Sequence, residues 1–222
     1  MRVLQFGDSV LPVGAFSFSN GLESAIQSGV VRDVETLGQF VRTATAQAST
    51  SDGISLLTAF RAAQSADEAT IDRADHASFH RKLNEEQRTM SVRMGRKLAE
   101  MSDRTIGPSS ATDWLDRIRA GRVPGTYPVG QGLVFQALGL GEVDAFAAQQ
   151  YGLASMMINA SLRLMKIHYL DAQRLLFEVN ARAEDDYHRI KALTLDDMAA
   201  FAPMFDVLCS VHVHSHVRLF MS

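Results

Sequence analysis

An all-α bundle of roughly eight to ten helices, folded as one domain over residues 1–222, is the architecture this sequence predicts. Three observations carry the expectation. Apolar residues recur at three- and four-residue spacing in segment after segment. Residues suited to helix capping stand at the heads of those segments. Strand-like alternation is almost absent, its best instance being the short Val211-His212-Val213.

Taken in order, residues 6–18 contain Gly and Pro and read as a loop or a broken helix end. Asp33 is placed to cap a helix whose inward stripe is Val34, Leu37, Val41, Ala44 and Ala48. Residues 53–63 are apolar nearly all round, which predicts a buried helix. Asn84 followed by Gln87 resembles a capping box. It opens a charged helix with Met90, Met94, Leu98 and Met101 as its apolar stripe, where methionine serves as core filler. Arg88, Arg93, Arg96 and Lys97, with Glu85, Glu86 and Glu100, form its solvated face. Thr112 is expected to cap a short helix through Trp114, Leu115 and Ile118, stopped by Gly121 with Pro124 beyond.

Residues 121–132, rich in Gly and Pro, predict a second loop region. The longest helical pattern runs over 143–165, and its Ala154, Ser155, Ala160 and Ser161 are small enough for another helix to approach closely. The apolar stretch 153–170 carries Arg163, Lys166 and His168, charges that would be costly in lipid, so it reads as a buried helix and not a membrane span. Ala172, Leu175, Leu176 and Val179 continue in helical phase; Thr194 with Asp197 looks like another capped start, and Pro203 precedes the last helix. No internal repeat or long linker divides the chain.

Composition narrows the function classes. The net charge of −3 and pI near 6.2 argue against a general nucleic-acid binder, which carries a cationic face to neutralise phosphates. Cys209 is the only cysteine, so no intrachain disulfide forms, and the start lacks a signal-peptide h-region; both point to the cytoplasm. No phosphate loop, dinucleotide fingerprint, nucleophile elbow or H-E-x-x-H helix occurs, so the expectation is a protein that is not an enzyme and needs no cofactor. Cys209 near His212 reads as a small buried residue of the last helix and not as a nucleophile. His212, His214 and His216 are the candidate metal ligands, since imidazole suits nickel. In an extended strand all three rings share a face; in a helix only His212 and His216 do. A nickel carrier using this run is the alternative function.

Four stretches together resemble the UreF family of urease accessory proteins. They are LQFGDSVLPVGAFSFSNGLESAIQSGVV at 4–31, VRMGRKL at 92–98, YPVGQGLVFQALGL at 127–140 with NASLRLMKIHYLDAQRLL at 159–176, and the ending 212–222 with its terminal RLFMS. Their order and spacing make the combination specific. Two departures stand out: His168-Tyr169 where the family often has Gly-Gln, and Phe16 where it often has Tyr, which removes a hydroxyl. The resemblance implies an all-α homodimer that binds the accessory protein UreD (UreH in some organisms) and the GTPase UreG. On apo-urease this assembly installs nickel and a carbamylated lysine. It implies no catalysis by the chain itself, no nucleic acid and no membrane. Phe16, Ser17, Phe18 and Glu23 in the opening segment, and Arg218, Leu219, Phe220 and Ser222 in the tail, are the expected partner contacts, because aromatics and arginine dominate interface hot spots.

Overall fold

The computed structural model describes residues 2–7, 19–200 and 202–212, with side chains up to residue 210. Among these residues it is all-α: ten helices of eight residues or more, two short ones, and no strand. The bundle is assembled around α8 (Tyr127–Ala137), whose Pro128, Val129, Leu133, Val134 and Phe135 are all buried. Helices α4 (Ile54–Gln64) and α6 (Glu85–Thr105) pack most closely on it, and α7 (Ser110–Arg119) is among those that complete its enclosure.

The start of α8 corrects an expectation. Residues 127–132 are helical, not loop. Pro128 sits in the first turn, where its missing N–H costs nothing. The glycines are points of close approach: a Cβ on Gly132 would lie 2.5 Å from the Leu56 carbonyl oxygen, and one on Gly95 of α6 would run into the backbone at Gly125 and Thr126. Glycine here lets helices touch backbone to backbone. Its intrinsic cost of about 1 kcal/mol in a helix is offset by that packing.

The helix α3 (Val34–Ala48) begins as predicted, with Asp33 and Thr36 forming a reciprocal capping box and the Thr36 N–H donating to the Asp33 carboxylate at 2.8 Å. It does not stop before α4. A π turn, Ser49–Gly53, carries the helical chain through from one to the other. Ser49, Thr50 and Ser51 donate their hydroxyls to backbone carbonyls, which favours such an irregular turn. Gly53 leaves room for the Phe146 ring, which a Cβ would meet at 2.7 Å.

The helix α5 (Glu68–Arg81) is capped by Asp67 and packs on α4. Asn84 caps α6 by accepting from the Gln87 N–H at 2.7 Å, and Met94 and Leu98 face inward as the stripe requires. The N-cap of α7 is Ser109; Thr112, expected there, lies inside the first turn. The long α9 (Glu142–Leu164) matches its predicted span, and α10 (Tyr169–Asn180) packs against it and α3. The helix α11 (Ala183–Ile190) is held to α9 by Tyr187, whose hydroxyl donates to Glu142 at 2.6 Å, while Arg61 of α4 donates to the same carboxylate at 2.7 Å. Thr194 and Asp197 do form a capping box, but it opens only a single 3-10 turn, Leu195–Asp197. Finally α12 (Pro203–His212) starts at Pro203, as the sequence suggested. The short α1 (Arg2–Gly7) takes in Phe6, buried against α8 and α9, so that part of the expected loop is helical.

One buried polar knot fastens this core. The Asp75 carboxylate of α5, fully buried, accepts from Trp114 Nε1 (3.0 Å), the Gly125 N–H (2.8 Å), the Thr126 N–H (2.7 Å) and the Thr126 hydroxyl (2.6 Å). It ties α5, α7 and the entry to α8 together. Burial holds the carboxyl above its ordinary value, and these donors offset that only in part.

Candidate partner-binding site

Helices from near the two ends of the described chain meet. The helix α2 (Leu22–Gln27) packs against α12 and α9. Its N-cap, Gly21, adopts φ +79°, and a Cβ there would stand 2.6 Å from the Cys209 sulfur and 3.3 Å from the Cys209 amide nitrogen. A residue with a side chain would suffer twice, from the left-handed backbone and from the contact. So Gly21 and Cys209, from opposite ends of the sequence, are brought together by the packing of α2 on α12.

Cys209 is fully buried, and burial, reinforced by the Asp206 charge, pushes its thiol up to about 12 while the hydrogen bond from Gln87 opposes this. It is a neutral packing group, as expected from the sequence, and Gln87 Nε2 lies 3.3 Å from its sulfur.

Beside this corner opens a cleft of about 90 Å³ reaching from Asn20, Phe205 and Asp206 to the π turn and the end of α5. Polar pairs line it. Lys82, only 12% exposed, grips Asp52 of the π turn with Nζ at 2.7 and 2.9 Å from the two carboxylate oxygens. Arg81 donates to the Met198 carbonyl. Gln47 Nε2 stands 3.4 and 3.5 Å from the Asp206 carboxylate, at the long limit of a hydrogen bond. Burial raises the Asp206 carboxyl and Gln47 lowers it again. Asp52, Lys82, Met90 and Leu153 also border a second, more apolar cavity of about 70 Å³ between α6, α8 and α9. The buried Gln131 lines this cavity, and its side-chain carbonyl oxygen has no hydrogen-bond partner among the described residues.

The polar groups of this cleft are largely satisfied within the chain. Its acids are paired or bonded, its thiol is protonated, and among the described residues no three His, Cys, Asp or Glu side chains gather as a metal cluster.

Comparison with known proteins decides the family. Residues 31–180 match the family model of UreF. Over 222 residues the chain is 52% identical to the urease accessory protein UreF 2 of Brucella abortus, covering 100% of this chain and 91% of that protein. It is 49% identical over 220 residues to the urease accessory protein UreF of Yersinia enterocolitica, covering 99% and 96% respectively. The chain belongs to the UreF family. The family model's match begins after α2 and ends before α12, so the corner between them is reached only by the full-length matches.

The expected contact residues of this UreF-family chain fall into two groups. Glu23 lies in the first turn of α2 and is 2% exposed, so its carboxylate is enclosed within this chain. Phe16, Ser17 and Phe18, and Arg218, Leu219, Phe220 and Ser222, lie outside the described residues, as do His214 and His216. His212 is the last residue of α12, and its side chain also lies outside them. No helix among the described residues is long and apolar enough to cross a membrane. The π turn with Asp52, and Lys82 opposite it, were missed from sequence. The signal was present: the polar run Ser49-Thr50-Ser51-Asp52 interrupts an otherwise continuous helical pattern.

Proposed function

We propose that this chain is a non-catalytic scaffold of urease maturation. It joins UreD (or UreH) and the GTPase UreG on apo-urease and assists GTP-dependent nickel insertion, acting in the cytoplasm as a homodimer. The observation that carries this reading is the convergence of α2 and α12 in a UreF-family chain. Helices α2 and α12 pack together beside a cleft lined by polar pairs, and these are the described helices nearest in sequence to the two expected contact segments. A scaffold works through differential affinity: by binding one nucleotide state of the GTPase more tightly it couples turnover to release.

Arg218→Ala tests the reading at the tail. A guanidinium beside two large apolar groups suits a hot spot, whose loss costs about 2 kcal/mol or more of binding. The expected result is an unchanged melting temperature, loss of UreD or UreG from a pull-down, and no urease activation. Full activation by the variant would remove the tail from the mechanism.

A further inference from the structure

The histidines that the sequence brings to attention lie in the terminal run, but a different pair is set up for metal. His76 and His80 stand one helical turn apart on the exposed face of α5, with ring centroids 6.3 Å apart and planes within 16° of parallel. Residues at i and i+4 project from one face of a helix, the spacing by which two imidazoles chelate one ion.

The surroundings add a second observation. His76 Nε2 lies 3.3 Å from the Arg122 carbonyl oxygen, which can only accept. That contact places the ring proton on Nε2 and leaves Nδ1 with its lone pair free. Metal-binding histidines are typically oriented this way, one nitrogen donating to a backbone carbonyl while the other ligates. Among the described residues the His80 ring meets His76 and Phe79 through ring contacts, and its nitrogens make no hydrogen bond. The acidic residue one turn before His76, Asp72, is occupied by Arg117 Nε at 2.8 Å.

We propose that His76 and His80 form a surface site for a divalent first-row transition ion, of the imidazole-preferring class that includes nickel, copper and zinc. A metal held about 2.1 Å from each donor nitrogen needs the rings slightly closer, a small rotation of two exposed side chains. Water completes the coordination. With two nitrogen donors and no free carboxylate, the pair discriminates against magnesium and calcium, which take oxygen ligands. Such a site would stand on α5 whatever the chain's accessory role, and it draws on none of the terminal histidines as ligands.

Titration of the full-length protein with Ni²⁺, followed by calorimetry and thermal shift, tests it. Wild type should bind one more equivalent per chain than H76A/H80A and gain melting temperature with Ni²⁺ that this variant does not. His80→Ala alone should weaken that equivalent by roughly tenfold or more, the scale on which even supporting residues act. H214A/H216A should keep it, and Mg²⁺ should not occupy it. Both histidines of the pair are exposed, so helical content and the metal-free melting temperature of the variants should match wild type. Ni²⁺ binding that is unchanged in H76A/H80A, or wholly lost in H214A/H216A, would overturn the proposal.

Discussion

The Asp75 knot and the Asp52–Lys82 cleft both place a carboxylate among helices, yet they are built to opposite ends. Asp75 has no access to water, and its four donors come from Trp114, Gly125 and Thr126, three of them in a single dipeptide. Asp52 has one cationic partner on a long, flexible side chain and remains partly exposed. Near it, Asp206 has only the distant amide of Gln47 among the described residues. A buried carboxylate must have its lone pairs filled, because orphaned donors and acceptors in a low dielectric are expensive. A partly exposed carboxylate keeps some contact with water, so fewer of its lone pairs need protein donors. The first arrangement fixes a fold; the second lines a cleft and ties the π turn to the residue that ends α5.

Substitutions can break this contrast or sharpen it. Asp75→Ala would strand the Trp114, Gly125 and Thr126 donors in the interior and should cost roughly 3–5 kcal/mol, as for other broken buried charge networks. Urea denaturation should show it as a lowered midpoint, and a loss under about 1 kcal/mol would mean that water replaces the carboxylate freely. Gly132→Ala should cost about 1–3 kcal/mol, since the Leu56 carbonyl in its way belongs to a helix backbone that cannot swing aside.

Gly21→Ala moves the test to the corner. Its positive φ and the Cys209 contact predict a destabilisation of about 1–2 kcal/mol. Because α2 would lift from α12, partner capture in a pull-down should fall further than folding stability does. Equal losses in both would mean that the corner matters only for folding. The smallest effect is expected at Glu142. The hydrogen bond from Arg61, then that from Tyr187, holds its carboxyl below its ordinary 4.5. A depressed folded-state value means stability that is present above pH 4.5 and fades as pH falls through the folded value. Glu142→Gln should flatten the acid limb of a stability–pH profile, by no more than about 1 kcal/mol for so exposed a pair. An unchanged acid limb would show that other groups set it.

Much of the bundle was legible because helix periodicity and caps are local signals. Asp33, Asn84 and Pro203 mark helix starts by the hydrogen bonds they make or the N–H they lack, and α9 spans what its apolar pattern demanded. The failures have a common cause. Gly130 and Gly132 look like punctuation, but they are needed where α8 meets Trp114 and α4, a partner more than 70 residues away (~70). Thr112 has the chemistry of a cap, yet Ser109 sits three residues earlier and takes the position. The cleft was invisible for the same reason: Asp52 and Lys82 are 30 residues apart, and nothing local announces that they pair. Family resemblance pointed to both ends of the chain, but only the fold reveals that Gly21 and Cys209 touch.

The π turn between α3 and α4 has a geometric consequence. Its wider loop takes up one residue more than an α-helix would, and each residue of an α-helix advances the azimuth by about 100°. The insertion therefore sets the angular phase between two surfaces on one rod: the α3 side that meets α10, and the α4 side that meets α8. Deleting any one residue of Ser49–Gly53 would wind that turn back to regular helix. The phase between α3 and α4 would then be nearly kept; winding all five residues as α-helix is what would turn the apolar face of α4 about a quarter-turn away from α8, without a single core side chain having been changed.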